Sequence, residues 1–453
     1  MNARPQRLIA TDVAPLSRPV SPRPVSDTWQ RRRLAVHTLL LTLFFVLPWV
    51  TWGGSTAVLF DIPARQLHVF SVTLWPQDFH LFALMLIVGA FGLFAVTNWI
   101  GRVWCGYACP HSVFFSLFAA IERRLQGPPG AKGSRAAGKA TTWILWSLLA
   151  LATAVTMVGF FVPVRSLVVD LATASLTGWP LLWVAMFFVT TYVAGGLWRE
   201  QVCLHMCPYA RFQSVMYDQD TKSIAYDATR GEPRGSRRRD AEAGDCVDCS
   251  LCVQVCPTGI DIRNGLQYEC IGCGLCIDAC NGVMDKLKRP RNLIGYYTGN
   301  QLEGRPEPRR RPRLVGYAGA FGIMLLVLGI VFVTRGSIEL DVQRDRSALY
   351  TDVLTSDGPM RENSYLLSVQ NKRSEAISLE LSASGEGRLE WFGEQLLDLA
   401  AGERRQIPVR LRAAPDDAPV RRIAFEAHES GHDSATLARQ DSSFFSSPPG
   451  PGS

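Results

Sequence analysis

Twelve cysteines carry most of the chemistry this chain can offer, and eight of them fall between Cys246 and Cys280. The run reads Cys246-x2-Cys249-x2-Cys252-x3-Cys256-Pro257 and, after a short connector, Cys270-x2-Cys273-x2-Cys276-x3-Cys280. Thiolates are the soft ligands that iron–sulfur clusters take. This doubled spacing is the bacterial two-cluster run, in which the fourth Cys of each half ligates the other half's cluster. One 4Fe-4S cluster is therefore expected on Cys246, Cys249, Cys252 and Cys280, and a second on Cys270, Cys273, Cys276 and Cys256. Structural zinc and a disulfide framework are the alternatives. Zinc needs only four ligands per site, and the third close Cys followed by Cys-Pro favours clusters.

The other four cysteines form two tight pairs, Cys105-x3-Cys109-Pro110 and Cys203-x3-Cys207-Pro208. Each pair stands where an apolar span ends, and each is followed in register by a Phe and a Ser (Phe114 and Ser116; Phe212 and Ser214). This reads as an internal repeat of two helical hairpins, each ending in a thiol pair. In a helix, Cys at i and i+4 share one face, so each pair can grip one metal ion or close a disulfide. Four thiolates from two hairpins can also form one shared site. Soft donors select copper(I), zinc or iron–sulfur, and His205 and Met206 add copper-compatible atoms. Zinc is redox-silent and would leave neighbouring clusters without purpose, so a redox role is preferred. A packing role for small buried residues is the plainer reading, and two pairs at equivalent places weigh against it. His111, after the first pair, reads as a surface or hydrogen-bonded residue. His37 and His80 lie near span ends on opposite sides, which disfavours a haem between them.

These motifs need a membrane scaffold. The chain has 453 residues, 19% of them charged, with the apolar ones gathered into blocks. Its length allows two or three domains of roughly 100–200 residues. Five spans approach the roughly 20 residues that a bilayer helix needs: Leu34 to about Trp52, Phe79–Ile100, Thr141–Val162, Trp179–Leu197 and Leu314–Val333. The first follows Arg31–Arg33 but has no small-residue cleavage site after it, so it reads as an uncleaved helix. The net charge of +7 lies beside these spans, a positive-inside pattern rather than a nucleic-acid footprint. Basic loops alternate strictly. The N-terminus, the second loop and the cluster run are thus expected in the cytoplasm, whose reducing chemistry suits free thiols, and everything past the fifth span outside it. No Asp, Glu, Lys or Arg lies inside a span, which argues against a pump or transporter.

The organisation expected is a disordered tail over 1–30, a four-helix membrane core over 31–226, and a two-cluster ferredoxin-type insert with basic linkers over 227–313. A fifth transmembrane helix follows over 314–335. From 336 to 440, short alternating runs such as Ile377-Ser378-Leu379-Glu380-Leu381 predict an all-β antiparallel sandwich, without Cys or a catalytic set, ahead of a disordered tail over 441–453.

Several stretches resemble the CcoG family, also called FixG or RdxA: Phe60-Asp61-Ile62-Pro63-Ala64-Arg65, Trp75-Pro76-Gln77-Asp78-Phe79, Val103 to Pro110, Tyr209 to Met216, Gly231-Glu232-Pro233-Arg234-Gly235 and Leu340 to Arg346. The resemblance runs from about Trp29 to the C-terminal sandwich. It implies a polyferredoxin-like protein of the bacterial cytoplasmic membrane, with two 4Fe-4S clusters and an immunoglobulin-like periplasmic domain, serving assembly of cbb3-type cytochrome c oxidase. The activity it implies is reduction of copper(II) to copper(I), with Cys105, Cys109, Cys203 and Cys207 as the copper site. Expected partners are a cytoplasmic electron donor and oxidase assembly factors or copper chaperones. Two other classes fit the residues: a quinol dehydrogenase-like membrane ferredoxin passing electrons to a respiratory partner, and a non-enzymatic copper or assembly scaffold.

Overall fold

The computed structural model describes residues 22–446, apart from 53–54, 71, 128–135, 236–241, 309, 346–347, 356–357, 374, 416–417 and 432–435. The disorder expected over 1–21 and 447–453 falls outside the described residues. Within them, both tails are shorter than expected. Arg23 N–H donates to the Gln254 carbonyl (2.8 Å), helix α1 starts at Thr28, and Ser442–Phe445 continue the last strand.

The chain divides into two units, 1–328 and 329–453. In the first, charge-poor apolar runs form the long helices α1 (Thr28–Val46) and α2 (Phe79–Ile100). A short helix α3 (Val103–Tyr107) leads into α4 (Pro110–Gln126), and α5 (Ala136–Val158), α6 (Val164–Ala172) and α7 (Gly178–Tyr192) follow. Helix α8 (Pro208–Met216) comes after the second thiol pair, and Pro312–Val333 is again long and apolar. Among the described residues, six helical stretches are long and apolar enough to cross a membrane, where the sequence suggested five. The added one is Val103–Gln126, masked in the sequence by Glu122, Arg123 and Arg124 at its end and broken at Cys109-Pro110. It is also amphipathic, burying Ser112, Val113, Phe115, Phe118 and Ala119 along one face.

Gly101 turns the chain between α2 and α3 at φ 58°. A Cβ there would lie 2.8 Å from Tyr217 Oη, so the position requires glycine both for its dihedral and for space.

The segment after the second thiol pair carries a strand. Ser223–Tyr226 pairs antiparallel with Ile294–Tyr297, Ser223 opposite Tyr297 and Tyr226 opposite Ile294. This two-stranded ribbon closes the base of the cysteine run, so the insert begins inside the segment assigned to the membrane core.

The second unit is a sandwich of two antiparallel sheets. One runs Glu390–Phe392, Arg404–Ala413, Gly358–Asn371, Ile338–Arg344, and the other Leu396–Leu399, Ile377–Gly385, Val420–Glu429, Thr436–Phe445. Period-2 alternation sets the inner faces: Ile377, Leu379 and Leu381 are buried, as are Ile407, Val409 and Leu411. Phe425 anchors the core with its ring 5.0 Å from that of Tyr365 and 5.9 Å from that of Trp391.

Candidate functional site

All twelve cysteines are free thiols. Cys246, Cys249, Cys252 and Cys280 line one cavity. Cys256, Cys270, Cys273 and Cys276 line a second, with Cys252 on the wall between the two. The first cavity takes three thiols from the first half of the run and one from the second; besides the shared Cys252, the second cavity takes three from the second half and one from the first. The two halves of the run are built alike: residues with left-handed backbone flank the middle cysteine of each, Asp248 and Ser250 (φ 54° both) around Cys249, Gly272 (66°) and Gly274 (79°) around Cys273. Only the second half uses glycine, because there the loop presses on the membrane core. A Cβ on Gly272 would stand 3.0 Å from the Arg102 carbonyl carbon, and one on Gly274 3.0 Å from Trp29 Cβ.

Cys249 is exposed, whereas Cys246, Cys252 and Cys273 are buried. Burial pushes the Cys252 thiol up to about 11 and those of Cys270 and Cys280 to about 12. A cation must replace those protons for the thiolates to persist, and loading metal here releases protons. Four soft donors around each apolar-walled cavity fit a 4Fe-4S cluster.

The two Cys-x3-Cys-Pro motifs close in the same way. Cys109 N–H donates to the Trp104 carbonyl and Cys207 N–H to the Val202 carbonyl, each at 2.9 Å and each spanning five residues. This is a π-turn, the kind of irregularity often found at functional sites. The second Cys of each pair is not on the same α-helical face as the first, as i, i+4 spacing suggested. It is the N-cap of the next helix, with Pro110 opening α4 and Pro208 opening α8, where the positive end of each helix dipole faces the sulfur.

The four thiols lie near enough to feel one another's charge. Cys203 interacts electrostatically with Cys109, Cys105 and Cys207, and Cys105 with Cys109 and Cys207. Burial, then these neighbours, push the Cys203 thiol up to about 12. Cys105 Sγ donates to Gln213 Oε1 (3.3 Å), which also accepts from Arg102 Nε (2.9 Å), while Gln213 Nε2 donates to Thr97 Oγ1 (3.2 Å). Among the described residues, no group of three or more His, Cys, Asp or Glu side chains stands close enough to hold a single ion. His205 and Met206 are exposed and add nothing to the cluster of thiols. His111 is hydrogen-bonded, its Nε2 2.7 Å from the Arg199 carbonyl.

The first thiol motif and the second cavity touch. A Cβ on Gly106 would meet Cys273 Cα and the Ile271 carbonyl, both at 2.8 Å, and Tyr107 Oη donates to the Cys273 carbonyl (3.2 Å). Arg33, 6% exposed, clamps this junction: Nε donates to the Gly106 carbonyl (3.0 Å) and Nη2 to Ser116 Oγ (2.6 Å). From the cluster side, the Asp278 carboxylate accepts the first backbone N–H groups of α1, from Trp29 (3.1 Å) and Gln30 (2.8 Å).

Arg33, Arg102 and Arg199 flank apolar spans, yet none is a surface charge. All three are buried, Arg102 bonded to Gln213 and the Tyr268 carbonyl, Arg199 paired with Glu122 over the Trp146 ring. The available signal was position: Arg102 and Arg199 stand three and four residues before the first Cys of their motifs.

Comparison with known proteins matches three family models: a 4Fe-4S binding domain over residues 82–129, a 4Fe-4S dicluster domain over 198–299, and the IG-like fold at the C-terminus of FixG over 328–447. Protein RdxB of Cereibacter sphaeroides is 37% identical over 399 residues, 82% of this chain and 83% of that protein. The nitrogen fixation protein FixG of Rhizobium meliloti is 34% identical over 419 residues, 81% of this chain and 79% of that protein. A crystal structure of a FixG-related protein from Vibrio parahaemolyticus is 25% identical, covering 24% of this chain and 97% of its own, at a TM-score of 0.21.

Proposed function

Because this chain belongs to the family of FixG, RdxA and RdxB, we propose that it is a membrane iron–sulfur protein that reduces copper(II) to copper(I) for assembly of a cbb3-type cytochrome c oxidase. The observation that carries the reading is the contact of the Cys105–Cys109 loop with the Cys270–Cys276 loop at Gly106. When bound, the two clusters supply one-electron transfer, with Cys246, Cys249, Cys252 and Cys280 holding one and Cys270, Cys273, Cys276 and Cys256 the other.

The chain's own residues set the direction. Cys249 is the exposed thiol of the run, and it faces a cytoplasmic electron donor. The substrate is copper(II), taken by Cys105, Cys109, Cys203 and Cys207. Capture needs Cys105 to leave Gln213 and the buried thiols to lose protons to solvent. Each copper(II) accepts one electron, and copper(I), which prefers soft thiolates, passes on to oxidase assembly factors or copper chaperones. The positive-inside pattern supports a cytoplasmic N-terminus and cluster run, and five crossings, with the amphipathic Val103–Gln126 not among them, would leave the sandwich in the periplasm.

The test is anaerobic stopped-flow of dithionite-reduced, full-length protein against copper(II), wild type beside Cys203→Ala/Cys207→Ala. The double variant is expected to keep its clusters and lose copper binding and copper-dependent reoxidation. Equal reoxidation in both removes the thiol pairs from the mechanism, and none in either leaves a scaffold.

A further inference from the structure

A cavity of about 240 Å³ lies between α1 and α4, room for several water volumes of about 30 Å³ each, or for one ring-sized headgroup. Leu34 and Thr38 stand at it and are exposed on the apolar flank of α1, so it communicates with the hydrocarbon side of the membrane helices. Val113, Phe115 and Ala119 of α4 form one wall. Pro257 and Leu275 form another, each next in sequence to a cysteine of the second cluster cavity, Cys256 and Cys276. Phe115 and Leu275 pack in one apolar cluster with Cys105 and Cys273.

The walls are largely apolar, with the cations Arg23, Arg33 and Arg123 also lining the cleft, and a buried histidine on it is left unanswered. His37 lines it and is 7% exposed, and its Nε2 is buried with no hydrogen-bond partner. The Gly106 carbonyl lies toward the ring, and with Nδ1–H turned to it Nε2 presents a lone pair. Gln30 Oε1, also at the cleft, is a second buried acceptor without a partner. A buried acceptor left unsatisfied is destabilising, and such a group needs an explanation. Its complement is a molecule with hydroxyl donors on an apolar ring, soluble in the bilayer. A lipid tail offers no donor.

We propose that this cleft binds a membrane quinol, which delivers electrons to the adjacent clusters. The proposal rests on the two four-thiol cavities being 4Fe-4S sites, and it gives the protein an electron input from the membrane beside the one at Cys249. The quinol is oxidised to the quinone as both of its O–H bonds break. The first proton passes to His37 Nε2 and from there to water, and the same imidazole then takes the second. Two electrons leave, one to each of the two clusters, so atoms and charge balance.

The test uses full-length, cluster-loaded protein in lipid nanodiscs, with decylubiquinol as reductant and an azidoquinone as photolabel. Decylubiquinol is expected to bleach the cluster absorption of the wild type, and the label to fall on α1 and α4 peptides. His37→Leu should slow bleaching by roughly 100-fold or more, the scale of a lost general base. Ala120→Trp, which fills the cleft from α4, should abolish both bleaching and labelling. Dithionite should bleach all three proteins equally, which shows the variants to be folded and loaded. The proposal is overturned if dithionite bleaches the wild type but decylubiquinol does not, or if both variants oxidise quinol at the wild-type rate. Failure of dithionite to bleach any of them sinks the cluster reading instead. Labelling then decides the cleft alone: α1 and α4 labelled supports it, unlabelled overturns it.

Discussion

Replacing Gly106 by alanine tests the junction between the thiol motif and the second cluster cavity. The added Cβ would lie 2.8 Å from Cys273 Cα, 2.8 Å from the Ile271 carbonyl oxygen and 3.0 Å from Cys273 N. All three are backbone atoms, so no side chain can swing aside. Restoring an ordinary contact of 3.4 Å from 2.8 Å moves the loops apart by 0.6 Å. Overpacking of this kind costs about 1–3 kcal/mol, about 5- to 150-fold in an equilibrium constant at 1.4 kcal/mol per tenfold. Gly282, within the helix Leu275–Lys286, is the matched control, since nothing lies within 4 Å of its added Cβ. Alanine there should stabilise by about 1 kcal/mol, the usual helical preference over glycine. The assay is thermal loss of the visible cluster absorption in purified, anaerobic protein, with iron per chain measured alongside. Gly106→Ala should bleach at lower temperature than wild type and Gly282→Ala at higher. If Gly106→Ala bleaches at or above the wild-type temperature, the loops are not in contact and the proposed electron route loses its support.

Iron analysis should give about eight irons per chain, falling to about four in either Cys252→Ser or Cys276→Ser, as two independent 4Fe-4S sites require; zinc without acid-labile sulfide would contradict this. Arg33→Lys should not rescue the clamp on Gly106 and Ser116, because an ammonium lacks the planar fork. The cost, about 1–3 kcal/mol for a buried carbonyl left unpaired, should appear as earlier thermal bleaching, and an unchanged midpoint would mean the clamp is dispensable. A periplasm-active reporter fused after Gly336 should be active and one after Gly244 silent. The reverse pattern, active after Gly244 and silent after Gly336, is what a sixth crossing at Val103–Gln126 gives with a cytoplasmic N-terminus, and it would place the clusters outside the cytoplasm.

The cysteine positions were legible because ligation by four thiolates leaves a spacing that packing alone does not produce. The sandwich was legible for a related reason: Ile377, Leu379 and Leu381 alternate with Ser378 and Glu380, and that period survives in the sequence. What could not be read depends on contacts far apart along the chain. Arg33 looks like any flanking cation until α1 meets Gly106 and Ser116, and nothing near Arg102 announces Gln213. The π-turns were invisible because Cys-x3-Cys also satisfies an α-helix, and proline at the next position was the one hint that the helix would stop. Ser223–Tyr226 is too short to declare itself as a strand without Ile294–Tyr297 beside it.

The bond between Asp278 and α1 carries a consequence for biogenesis. The first membrane helix leaves the ribosome long before its cap exists, since Gln30 and Asp278 are 248 residues apart. Asp278 lies between Cys276 and Cys280, on a helix whose position depends on the thiols around the second cavity. Until that helix settles, the leading N–H groups of α1 must be answered by water, and Arg33 has no fixed loop to hold. Metal loading and the seating of the first helix therefore belong to one late, cooperative step. A chain starved of iron would carry an unfinished N-terminal helix, open to proteolysis at the segment that Asp278 otherwise caps.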